Sequence, residues 1–92
     1  MQSDRFRTSP AARASVSADG LVLLDVERGL VLASNPIGAR IWELIVQQRT
    51  SPEIARQLAL DCDIPIERAR GDVDAFIEAL AMRGLLIEDP PC

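Results

Sequence analysis

The chain contains no histidine and no lysine. Without histidine, the commonest general base and the commonest transition-metal ligand are both missing. Cysteine is scarce, with only Cys62 and Cys92. Two remote thiols do not build a Cys-rich metal site, nor do they staple a small secreted scaffold, so both are expected to be free. Aromatic residues amount to 3%, namely Phe6, Trp42 and Phe76, and the core must therefore be built from Leu, Ile, Val and Ala. No apolar run approaches the ~20 residues of a bilayer-spanning helix. The opening segment MQSDRFRTSP also lacks the apolar stretch of a secretion signal. These absences lead to the expectation of a cytoplasmic protein with no membrane partner, no metal and no cofactor.

What is present describes one small domain. A length of 92 residues lies near the lower end of what buries a self-sufficient core, and 48% hydrophobic with 26% charged residues is ordinary for a globular chain. The net charge of −4 is uneven: residues 1–13 carry +2 and the remainder −6. All ten basic residues are arginine, a bias to which no function is assigned. Residues 1–13 have no apolar period and read as a flexible N-terminal arm. Residues 14–88 read as the domain and residues 89–92 as a frayed tail.

Three short strands are predicted first. Ala14–Ser17 leads into the turn dipeptide Asp19-Gly20, and Leu21–Val26 follows, with Leu21, Leu23 and Asp25 on one face and Val22, Leu24 and Val26 on the other. Glu27-Arg28-Gly29 turns the chain, Gly29 supplying the positive φ of such turns, and the third strand is Leu30–Ala33. Three strands this short need a helical layer. Asn35-Pro36 switches the chain into a helix to about Gln47, Asn35 as cap and Pro36 at the first turn. Its apolar stripe is Ile37, Ile41, Leu44 and Ile45, bordered by Trp42. Ser51-Pro52-Glu53 opens a second helix with Ile54, Ala55, Leu58 and Ala59 inward. The longest helix is predicted over Ile66–Arg83, with Ile66, Ala69, Val73, Phe76, Ile77 and Leu80 on one side. Gly84 is placed as its left-handed cap, and Leu85–Ile87 is expected to fold back onto the core.

The order and spacing of these signals resemble the PqqD family over roughly residues 14–87. The matching positions are Asn35, Pro36, Gly38 and Trp42, then Thr50, Glu53 and Ile54, then Asp72, Val73, Phe76, Leu80, Gly84 and Leu85. The resemblance implies an α+β, winged helix-turn-helix-like domain with a three-stranded antiparallel sheet followed by three helices. It also implies a function: a non-catalytic chaperone that binds the leader segment of a ribosomally made, post-translationally modified precursor peptide. Such a domain presents the precursor to an enzyme such as a radical SAM protein, a cyclase or a leader peptidase.

The residues themselves offer little catalytic chemistry. Asp72 and Asp74 are two apart on a helix and point in different directions. Ser34 and Ser51 adjoin Pro-opened helices and lack an evident base. The strand Leu30–Ala33 is different: a short apolar edge can accept an extended guest through main-chain hydrogen bonds. The expected peptide-binding residues on it are Leu30, Val31, Leu32 and Ala33. The resemblance places the peptide between this strand and the third helix, adding Asp72, Ala75, Phe76 and Ala79 as wall residues. Asp72 is then available to a basic or hydroxyl group of the leader. The alternative is a winged-helix DNA-binding regulator. Against it, the third helix carries Glu67, Asp72, Asp74 and Glu78 beside Arg68, Arg70 and Arg83, and an acidic reading helix repels phosphates. No nucleic-acid partner is therefore expected.

Overall fold

A two-residue turn at Ala18-Asp19 joins strand β2 (Ala12–Ser17) to β3 (Gly20–Asp25), and a four-residue turn joins β3 to β4 (Leu30–Ser34). The computed structural model describes residues 6–88. All pairs are antiparallel and the order is β2-β3-β4, with Leu23 opposite both Ala14 and Leu32. The alternation in β3 is clean: Leu21, Leu23 and Asp25 are buried, whereas Val22 and Leu24 are exposed. One face of the sheet therefore packs inward and the other meets solvent.

The first helix packs on the inner face, and the other two pack against it and against each other. Helix α1 (Pro36–Val46) starts where the Asn35 side chain accepts a hydrogen bond from Gly38 N at 2.9 Å. It buries Ile41, Trp42, Leu44 and Ile45. Helix α2 (Ser51–Cys62) is capped one residue earlier than its Ser-Pro start suggests. Thr50 and Glu53 form a reciprocal capping box, in which Glu53 N donates to Thr50 Oγ1 and Thr50 N donates to Glu53 Oε1. Helix α3 (Ile66–Met82) follows Asp63, whose backbone is left-handed at φ 52°. The core joins Leu21 and Leu23 of the sheet to Ile41, Leu44, Ile45, Ile54, Leu58, Val73 and Leu80 of the helices. Full burial of each such side chain is worth about 1.5–3 kcal/mol.

The N-terminal segment differs from its sequence expectation. Part of it forms strand β1 (Phe6–Thr8), which pairs antiparallel with β5 (Leu86–Glu88), and Ala12 and Arg13 already belong to β2. Ala11 is buried, and Ser9 N donates to Leu85 O at 3.0 Å. The cause lies at the other end of the chain. Gly84 turns α3 back at φ +69°, Leu85 and Leu86 bury themselves, and the extended backbone that results needs a hydrogen-bonding neighbour. The start of the chain supplies it. Residues 1–5 and 89–92, which include part of the expected arm and the whole expected tail with Cys92, lie outside the described residues.

Candidate functional site

The sheet leaves a main-chain edge open, and its polarity follows from the register. Val26 N donates to Ala11 O at 3.1 Å, continuing the β2–β3 ladder by one pair. Bonded pairs alternate along an antiparallel ladder. Gly20, Val22 and Leu24 therefore turn their backbone groups toward β2, while Leu21, Leu23 and Asp25 turn theirs toward β4. The β4 partners of that second set are Ser34, Leu32 and Leu30, so their N–H and C=O groups are engaged inward. The backbone groups of Val31 and Ala33 point out of the sheet, and among the described residues no strand pairs with that edge.

Alongside this edge lies a cleft of about 320 Å³ between β4, the start of α1 and one side of α3. Leu32, Ala33 and Ser34 form the strand wall, and Arg68, Asp72, Ala75, Phe76 and Ala79 form the α3 wall. Ile37, Gly38 and Ile41 complete the lining from α1. Gly38 is required by close approach: a Cβ there would collide with the Ser34 side chain and press on the Phe76 ring. The absence of a side chain thus lets α1, β4 and α3 meet at one end of the cleft.

The polar content of the cleft is concentrated at that end. Among the described residues Asp72 Oδ2 is closed off from solvent and has no hydrogen-bond partner, and Arg68 Nε stands 3.9 Å away. At that distance the pair attracts without a hydrogen bond. A carboxylate oxygen removed from water and left unpaired is costly, so Asp72 gains from any donor able to reach it. The rest of the lining is mainly aliphatic, with one aromatic ring.

At the opposite end, the β3–β4 turn is tied to the end of α3. Asp25 is only 2% exposed, an unusual position for a carboxylate. It accepts hydrogen bonds from Glu27 N at 3.0 Å, Arg28 N at 3.1 Å and Arg28 Nε at 2.8 Å. Burial alone would raise its pKa. The Arg28 side-chain bond, the two backbone donors and the Arg28 charge outweigh that and hold it below the usual aspartate range. The same guanidinium donates through its second nitrogen to the Arg83 carbonyl.

Six of the residues expected from sequence, Leu32, Ala33, Asp72, Ala75, Phe76 and Ala79, line this one cleft. Leu30 and Val31 lie on the same strand but outside the lining, Val31 being 62% exposed on the outer face of the sheet. Sequence reading missed Ser34, Asn35, Ile37, Gly38, Ile41 and Arg68. Asn35 and Ile37 were legible only as a cap and a core position, and their second role depends on α3 crossing above them. Arg68 carried a usable signal, since it stands four residues before Asp72 on one helical face.

Among the described residues, no group of three or more His, Cys, Asp or Glu side chains is placed to hold a metal ion. None of their helices is long and apolar enough to cross a membrane.

Comparison with known proteins agrees with this architecture. Among solved structures, TbiB1 in complex with the TbiA(beta) leader peptide superposes with a TM-score of 0.81 at 25% identity, over 92% of this chain and 99% of that one. The lasso peptide synthetase B1 complexed with its leader peptide superposes with a TM-score of 0.79 at 23% identity, over 90% and 98% of the two chains. No curated protein matches the sequence. The family model for Coenzyme PQQ synthesis protein D (PqqD) matches residues 20–86, a span from the start of β3 to the start of β5 that holds every residue of the cleft, and the chain belongs to the PqqD family.

Proposed function

We propose that this protein captures the leader segment of a ribosomally made precursor peptide by adding it as a strand to the edge of β4, and presents it to a separate modifying enzyme. The observation that carries the reading is the pair of outward-facing backbone groups at Val31 and Ala33, set beside an apolar cleft walled by α3. An extended guest there would exchange main-chain hydrogen bonds with both residues. Its alternate side chains would enter the cleft against Leu32, Ala75, Phe76 and Ala79, and a donor on one of them would satisfy Asp72. Leu30 would extend the contact at the turn end. The two similar structures with leader peptides bound support the same reading.

The protein's role is binding, with the chemistry left to its partner. A radical SAM protein, a cyclase or a leader peptidase fits a domain that holds a substrate at its recognition segment. Regulation through DNA is disfavoured by the acidic residues of α3, which include Asp72 at the cleft itself. The reading also needs no membrane contact and suits a cytoplasmic site of action.

The test is fluorescence anisotropy with a labelled synthetic leader from a short precursor gene neighbouring this one. The expected dissociation constant is on the order of micromolar. Val31→Pro removes an outward N–H while leaving the β3–β4 ladder intact, and proline is tolerated on an edge in that orientation. Binding should fall at least about tenfold, the worth of one lost hydrogen bond in a desolvated site. Equal affinity in the folded variant would rule out strand addition at β4.

A further inference from the structure

The two walls of the cleft are fixed to each other differently at its two ends. At the Ser34 end they are held by packing, where Gly38 lets Ser34 and Phe76 close in. At the Leu30 end, hydrogen bonds from one side chain link them. Arg28 Nε binds the buried Asp25 carboxylate at 2.8 Å, and its second nitrogen binds the Arg83 carbonyl just past the last turn of α3. Leu30, two residues after Arg28, begins β4, and Ala79, four residues before Arg83, lines the cleft.

The surroundings are shaped for this contact. A Cβ on Gly84 would strike the Arg28 guanidinium, so the glycine that turns the chain out of α3 also leaves room for the arginine to lie across the helix end. A cation at that position complements the negative end of the helix dipole. The Arg28 side chain is half exposed, and ordinary surface ion pairs contribute little. Here the carboxylate is buried, so the guanidinium is anchored from one side and directed to a single carbonyl on the other.

Resting on the strand-addition reading above, we infer that Arg28 is a positioning residue for guest binding: it latches the β3–β4 turn to the end of α3 and thereby sets the separation of strand and helix. Arg28 itself is not part of the cleft lining. A lysine places one ammonium where arginine offers a fork, and cannot hold carboxylate and carbonyl in the same planar geometry.

The test compares Arg28→Gln and Arg28→Lys with the unaltered protein by two measurements. The first is residue-resolved hydrogen exchange without peptide. Arg28→Gln should speed exchange at Leu30, Leu32 and Leu85 by at least about tenfold, leaving the middle of α1 and α2 unchanged, as for a local opening. The second is affinity for the labelled synthetic leader at a temperature where all variants are folded. Arg28→Gln should bind roughly tenfold more weakly, and Arg28→Lys should fall between the two. A lower melting temperature with unchanged β4 exchange and unchanged affinity would overturn the latch. Failure of the strand-addition reading looks different: the leader would then be insensitive to Val31→Pro, and the exchange measurement alone would decide whether Arg28 holds the two walls together.

Discussion

At the residue scale, the buried carboxylate of Asp25 makes a claim about pH. Its folded pKa is depressed, led by the Arg28 hydrogen bond acting against burial, and Glu53 and Asp61 are shifted the same way by their own hydrogen bonds to Thr50, and to Gln57 and Arg40. For a depressed carboxylate, the stabilisation is fully present above the unfolded-state pKa. It is lost as pH falls through the lower folded value. Urea denaturation should therefore show stability level near neutrality and declining on acidification below the ordinary carboxylate range. In Asp25→Asn the acid decline should be shallower by about one proton. An equally steep decline in that variant would mean that Asp25 is not among the groups responsible. Asp25 was legible from sequence as sharing a face of β3 with Leu21 and Leu23, but neither the burial of that face nor the partner of Asp25 was. The arginine that satisfies it lies in a turn whose geometry is set only when α3 arrives beside it.

At the element scale, local chemistry and long-range packing divide the work. The strands β2 to β4 and the three helices were readable because their signals are local: Asp19-Gly20 and Gly29 as turns, Asn35-Pro36 and Ser51-Pro52-Glu53 as helix starts, Gly84 as a stop. The capping box of α2 is a case with a number attached. Thr50→Ala removes the acceptor for Glu53 N and should destabilise the protein by about 1 kcal/mol in thermal or chemical unfolding. No loss of stability would mean that the cap is replaced by solvent at no cost. Strand β1 was not readable, because Phe6-Arg7-Thr8 has no apolar alternation and its partner is nearly the whole chain away at Leu86–Glu88. Pairing of two chain ends is decided by burial of Leu85 and Leu86, which no local window contains. The same holds for the cleft. Its α3 wall came from resemblance, with Arg68 signalled only by its spacing from Asp72, whereas the approach of Ser34 and Phe76 to Gly38 became visible only once helix, strand and junction were placed together.

At the scale of the whole molecule, the fold is an incomplete sheet supported by three helices. The inner face of the sheet is spent on the core, β2 closes one side of β3, and β4 closes the other while exposing its own far edge beside α3. A strand in the interior of a sheet has its backbone satisfied on both sides, and β4 is satisfied on one. In the proposed function a peptide supplies the second side, an apolar cleft selects its side chains, and Arg28 keeps the receiving gap at the right width. Two proteins that superpose on this fold over nearly their full lengths are seen with leader peptides bound. The register makes the central claim testable one amide at a time. Residue-resolved hydrogen exchange with and without a saturating synthetic leader should show Leu30 and Leu32 protected in both states, since they already bond β3. The Val31 and Ala33 amides should exchange freely alone and become strongly protected with peptide. If those two amides exchange equally fast with the leader bound, the guest does not pair with β4 and the account is wrong.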